Sequence, residues 1–155
     1  MRFSVLAILF MLMSVPAQTQ ESGAFIAVQK MIAAMSAHDY DTMYESVTEG
    51  YQILEHGQVL TMTDMVTSVK HFEIGFARRN YYSVISEVTS TDNVWVSYWK
   101  RVDTEMWDES YSTIYLESAV MVKVDGDWKI QMMHVTALDD ITNVPHEAQF
   151  KEYVE

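Results

Sequence analysis

His134 is the side chain whose type and position best suit chemistry in this sequence. It lies in Trp128-Lys129-Ile130-Gln131-Met132-Met133-His134-Val135-Thr136, a strand signal introduced by the turn Asp125-Gly126-Asp127. Simple alternation puts His134 with Trp128, Ile130 and Met132 on an apolar side that should point inward. An imidazole there titrates near neutrality and can serve as acid, base or donor. The plainer reading is a core histidine bonded to a backbone carbonyl. Tyr98 shares parity with Val94 and Val96, so its hydroxyl is expected to reach the same interior as a donor. A buried tyrosine more often finds only a local partner. Tyr44 and Tyr51, beside a helix–hairpin junction, are candidates to line a pocket mouth above Ile130 and Met132, though either could be plain core.

Most catalytic signatures are missing. The chain has no Gly-x-Ser-x-Gly elbow, no phosphate-binding glycine loop and no dinucleotide fingerprint. The five histidines, His38, His56, His71, His134 and His146, include no pair at metal-ligand spacing within one element. A site assembled in space from His56, His71 and Glu87 runs against the usual ligand spacings. Neither a metal nor a cofactor is expected.

These residues must be placed by helices that come first and strands that follow. Phe25, Val28, Ile32 and Met35 make one stripe of a helix over Gly23–Ala37. Ser22 is its candidate cap. Asp39 can cap a short second helix through Tyr40, Met43, Tyr44 and Val47. Alternation from Tyr51 to Glu55, then Gly57 and Gln58-Val59-Leu60, is a hairpin signal. Thr61-Met62-Thr63-Asp64 has the form of a capping box and opens a third helix. Strands are expected over Tyr81–Thr89, Val94–Val102, Tyr111–Val124 and Trp128–Ala137. Asp103 to Ser110, with Trp107, reads as a polar loop. Short turns between long strands predict an antiparallel meander.

Parity assigns two faces to the sheet. Ile114, Leu116, Ser118, Val120, Val122 and Val124 form one side of the third long strand and are expected under the helices. The other side carries Tyr111, Thr113, Tyr115 and Glu117. With Trp95 and Trp99 it is expected to face away from the helices, as a homodimer surface or an ordinary solvated face. After Ala137 the chain is polar, and Glu147 to Val154 could form a frayed helix.

Composition bounds partners and compartment. Met1 to Ala17 reads as a secretory signal peptide, with Arg2, an apolar run from Phe3 to Met13, and Val15-Pro16-Ala17 before the cleavage point. The run is shorter than the roughly 20 residues a spanning helix needs. The expected organisation is a signal peptide at 1–17, one domain at 18–138 and a polar tail at 139–155, in a secreted or periplasmic protein. The chain has no cysteine, so disulfides and thiol chemistry are excluded. A net charge of −12 disfavours nucleic acid and anionic membranes as partners.

The helix pair from Phe25 to Tyr44, the hairpin Glu55-His56-Gly57-Gln58-Val59-Leu60-Thr61 leading into a helix, and the strand Gly126-Asp127-Trp128-Lys129-Ile130 together resemble SnoaL-like domains of the nuclear transport factor 2-like superfamily. The resemblance covers nearly all of the chain after the leader. It implies an α+β cone, N-terminal helices packed on a curved antiparallel sheet around a pocket, and frequent dimers. Members with this fold include isomerases, cyclases, dehydratases, epoxide hydrolases and binding domains, so fold does not choose function. The carboxylate, tyrosine and protonated aspartate of ketosteroid isomerases have no residue-by-residue match here. Nor is the Asp-Arg-Asp set of the epoxide hydrolases evident around Arg78, Arg79 or Arg101. Three readings follow. The chain binds a small apolar ligand in the cone pocket. Alternatively it is a cofactor-free isomerase, cyclase or lyase using His134 with Tyr98. Or it is a dimerisation scaffold with a filled pocket.

Overall fold

The structure, a computed structural model, describes residues 23–71 and 76–154, so the expected signal peptide and the Ser22 cap lie outside the described residues. Helix α1 spans Phe25–Ala37. It buries Phe25, Val28, Met31, Ile32 and Met35, a wider stripe than one face, because it is enclosed by the sheet. His38 stops it in the left-handed region at φ 58°, where its N–H and that of Asp39 close on the last carbonyls. Asp39 then caps α2 (Tyr40–Glu45), accepting from the Thr42 N–H at 3.1 Å. Helix α3 (Met62–Lys70) opens with the expected capping box. Thr61 Oγ1 accepts from the Asp64 N–H, and the Asp64 carboxylate accepts from the Thr61 N–H.

Seven strands make one sheet: β1 (Val47–Glu55), β2 (Gln58–Leu60), β3 (Phe76–Thr89), β4 (Asn93–Met106), β5 (Glu109–Val124), β6 (Asp127–Ala137) and β7 (Lys151–Glu152). Their order is β2-β1-β6-β5-β4-β3-β7. Strands β3 to β6 form the expected antiparallel meander, and β1 joins it parallel to β6. The turn between β5 and β6 has positive φ at both Asp125 and Gly126, 54° and 94°, the backbone that matches strand twist in a two-residue hairpin. The helices lie on the concave side, α1 against β3, β5 and β6 and α3 against β1 and β2. The result is the expected α+β cone. Among the described residues no helix is long and apolar enough to cross a membrane.

Four expectations are corrected. Asp103 to Ser110 is no polar loop: β4 runs on to Met106 and β5 begins at Glu109, with only Trp107 and Asp108 turning the hairpin. The tail is tied to the body, since β7 pairs with β3 at Tyr81 and Tyr82 and Tyr153 packs on the core, so Glu147–Val154 contains a strand and not a frayed helix. The faces of β5 are reversed. Glu117, Ala119 and Met121 are buried under the helices, while Leu116 is 39% exposed on the outer side. Tyr115 follows Glu117 inward, so Trp95 and Trp99 remain on the outer face without Tyr115 or Tyr111.

The fourth correction concerns β6. Val120 pairs with Met132, but the next residue, Met121, pairs with Ile130. Gln131 is therefore an extra residue, a β-bulge, and every side chain after it changes face. Ile130 and Met133 are fully buried and Val135 nearly so, while His134 is exposed beside Ser118 on the outer face.

Candidate functional site

The cavity is built from a polar stripe that the ladder sets across three strands. On β4, Val94, Val96, Tyr98, Lys100, Val102 and Thr104 alternate inward, and all are buried. Lys100 is carried inside on an otherwise apolar parity. Register places Tyr82 of β3 and Tyr115 of β5 on either side of Lys100, and Glu117 beside Tyr98. Lys100 Nζ meets Glu117 Oε1 in an ion pair whose side chains are 6% and 0% exposed. The ammonium also lies 4.7 Å from the centre of the Tyr115 ring. A buried ion this close to its partner is compensated; one without a partner would be costly.

Above this stripe the cone is not filled. A cavity of about 260 Å³ is bounded by Ile32 and Met35 of α1, Met65 of α3, Ile53 and Glu55 of β1, and Met133 and Val135 of β6. Arg78, Lys100, Tyr115 and Glu117 supply its polar wall. The narrow end is closed by aromatic packing: the Phe25 ring centre is 4.9 Å from that of Tyr98 and 5.7 Å from that of Tyr82. A second hollow of about 200 Å³ shares Arg78 and Tyr115 and is otherwise lined by Ser68, Val69, Thr104, Tyr111 and Thr113.

Electrostatics single out Glu117. Burial, and after it the Glu117 carboxylate, push the hydroxyls of Tyr98 and Tyr82 well above their ordinary range. Tyr51 is raised for the same two reasons. Tyr115 is raised by burial and by Glu117, with Arg78 pulling the other way. Burial lowers Arg78, and the nearby Tyr115 and Glu117 oppose that. Among the described residues the Tyr82 hydroxyl has no hydrogen-bond partner, while the Tyr98 hydroxyl faces the Glu117 carboxylate, paired with it across the strands. The interior thus holds a fully buried carboxylate, several phenols and an ammonium in a place of low dielectric. Such a set can fix a polar group of a bound molecule or move a proton to and from it.

The residues singled out in the sequence are dispersed. Tyr98 is fully buried at the closed end, beside Glu117. His134 is on the outer face, outside the cavity, because of the bulge at Gln131. Met132 is half-buried on that same outer face, paired with Val120. Ile130 is core and does not line the cavity. Tyr51 is buried with its hydroxyl 3.5 Å from Met65 Sδ, one residue removed from the cavity wall. Tyr44 is 44% exposed and donates to Thr63 Oγ1 at 3.2 Å, lining a separate surface cleft that it shares with Tyr51. Lys100, Glu117, Arg78 and Tyr115 were missed. Lys100 had a visible signal in its shared parity with Val94, Val96, Tyr98 and Val102. Among the described residues no three His, Asp or Glu side chains converge as a metal site.

No protein-family model and no curated protein matches this sequence. Solved structures do. A ketosteroid isomerase-like protein from Erwinia carotovora atroseptica superposes with a TM-score of 0.61 at 14% identity, over 76% of this chain and 95% of that one. An NTF2-like protein from Cytophaga hutchinsonii gives 0.59 at 16% identity, over 74% and 94%. An NTF2-like protein of unknown function in nutrient uptake from Rhodospirillum rubrum gives 0.63 at 13% identity, over 76% and 99%. Identities this low speak to architecture and not to activity. Over about three quarters of the chain the helices and curved mixed sheet superpose on theirs, and the chain has the nuclear transport factor 2-like fold.

Proposed function

We propose that this protein binds a small, largely apolar molecule in the cone cavity. The observation that carries this reading is the unfilled space of about 260 Å³ between α1, α3 and the sheet, walled by Ile32, Met35, Ile53, Met65, Met133 and Val135. Together with the adjoining hollow it has the size and mixed lining of a compact small-molecule site. Methionine supplies three of these walls, a flexible and polarisable lining that adapts to ligand shape. The test is saturable binding of a neutral naphthylamine dye, followed by fluorescence. Met133→Trp, which fills the cavity, should abolish the signal while the domain stays folded. Undiminished binding in that variant would place the dye elsewhere and refute the reading.

A second reading is favoured by the Glu117–Lys100 pair itself. A buried carboxylate beside an ammonium and a phenol can take a proton from carbon next to a carbonyl while a donor steadies the oxygen. That is cofactor-free isomerase or lyase chemistry. The fold shared with a ketosteroid isomerase-like protein is in keeping with it. Glu117 takes the place that the sequence had suggested for His134. Its test is exchange of the α-protons of a small cyclic ketone into deuterated water, followed by NMR. Exchange that survives Glu117→Gln would exclude the carboxylate as the base.

A further inference from the structure

The ion pair inside the cone leaves part of its hydrogen-bonding capacity unused, and leaves it side by side. An ammonium has about three N–H donors, and a carboxylate accepts at about four lone-pair positions. One N–H of Lys100 goes to Glu117, and the Tyr115 ring, centred 4.7 Å from the ammonium, takes up a second. Glu117 receives Lys100 and, from the neighbouring strand, the Tyr98 hydroxyl. About one donor and about two acceptor positions are left over. Both residues belong to the wall of the cavity of about 260 Å³, and with side chains 6% and 0% exposed they are shielded from bulk water.

Charge on that wall is already balanced. It carries two cations, Lys100 and Arg78, and two carboxylates, Glu117 and Glu55. Arg78 has interactions of its own and lies near the same Glu117 carboxylate. An anion entering here would meet Glu117, and a cation would meet Lys100. Either ion would lose its water without gaining an unopposed counter-charge.

We infer that the ligand is neutral and carries a primary carboxamide, whose carbonyl accepts from Lys100 while its N–H donates to Glu117. The inference rests on the binding reading above and names the class of molecule. An amide presents an acceptor and a donor along one planar edge, the counterpart of an ammonium and a carboxylate in contact. An alcohol offers both roles at a single oxygen and spans the pair less well. The apolar body of the amide lies along Ile32, Met35 and Met65. The adjoining hollow, where Val69 faces the ring of Tyr111, takes what extends beyond them.

The experiment titrates hexanamide, hexanoate and hexylamine into the whole protein at neutral pH, followed by calorimetry. The three probes share a chain and differ in the charge of the head. Hexanamide should bind at least about tenfold more tightly than either ion. The double variant Lys100→Met with Glu117→Leu makes the pair apolar at similar volume. It should weaken hexanamide by about tenfold and leave the neutral naphthylamine dye bound. The ranking in the native protein decides the matter even if that variant does not fold. Tightest binding by either ion, or equal affinities, would overturn the amide assignment and leave the binding reading standing. Failure of all three probes while the dye still binds would do the same. Failure of the probes and the dye together would overturn both. Hexanamide binding unchanged in the folded double variant would place the amide away from the ion pair and also reject the assignment.

Discussion

Replacing Lys100 by Met removes the ammonium and keeps most of the side chain's bulk. Glu117 is then left at 0% side-chain exposure without its partner. Two unit charges about 4 Å apart attract by roughly 4 kcal/mol at the effective dielectric of a partly wet interior. Truncating one member of a buried pair costs roughly 3–5 kcal/mol in practice. Domains of this kind are stable by about 5–15 kcal/mol, so the variant should lose roughly a fifth or more of its stability. With a urea slope of about 2 kcal/mol per molar, the midpoint should fall by about 2 M. The double variant Lys100→Met with Glu117→Leu should recover most of the loss, because an apolar pair of similar volume replaces a buried ion pair at little cost. The assay is equilibrium urea unfolding followed by tryptophan fluorescence, for both variants. A loss below about 1 kcal/mol in Lys100→Met would mean that Glu117 is hydrated through the cavity, and the argument for a low-dielectric site would fail.

Other consequences are more direct. Burial and Glu117 hold the Tyr98 hydroxyl high, so the unfolded chain loses that proton first; the stabilisation is complete below about pH 10 and is lost as pH rises above it. Tyr98→Phe should therefore flatten the alkaline limb of unfolding, and an unchanged limb would contradict the account. Thr61→Ala removes the α3 cap and should cost about 1 kcal/mol by thermal or urea unfolding. A homodimer seated on the outer sheet face would be broken by Trp95→Glu with Leu116→Lys, both exposed positions, and sedimentation should show the change from dimer to monomer; a native protein already monomeric at micromolar concentration would dismiss it. Cleavage after Ala17 would leave Gln18 as the first residue of exported material, which mass spectrometry can check.

The elements were legible because their signals are local. Asp39 and the Thr61–Asp64 box announced two helix starts, and the Asp125–Gly126 turn announced the last hairpin. The site was less legible because it depends on which way strands face, and two non-local facts decide that. Strand β5 is apolar on both sides: Ile114, Leu116, Val120 and Val122 on one, Ala119 and Met121 on the other. Only its register with β4, where Glu117 pairs with Tyr98, selects the inner side. That register follows from the tight turn at Trp107 and Asp108, which reads as a polar loop when the six residues flanking it, Asp103–Met106 and Glu109–Ser110, are taken as irregular. Lys100 sat in plain view on an apolar parity, but a buried lysine is unlikely on composition grounds unless a partner is seen, and the partner was on the misassigned face.

Gln131 decides the fate of His134, and the point can be tested with one pair of substitutions. Gln131 is the extra residue between Ile130 and Met132, and its side chain occupies the matching irregularity in β1, accepting from Thr48 Oγ1 at 3.0 Å and donating to the Gly50 carbonyl at 3.3 Å. Bulges in β3 at Ile85 and in β6 at Gln131 bend the sheet that wraps α1. With the bulge in place, Met133→Lys puts a charge at a fully buried position on the cavity wall and should cost several kcal/mol or prevent folding. His134→Lys changes only an exposed side chain and should stay within about 0.5 kcal/mol. Uninterrupted alternation demands the opposite order, with His134 inside and Met133 in solvent. Urea unfolding of the two variants, at protein concentrations low enough to keep the outer face uncovered, therefore discriminates sharply. A tolerant Met133 and an intolerant His134 would remove the bulge, restore the histidine to the cone and return it to the centre of any catalytic account.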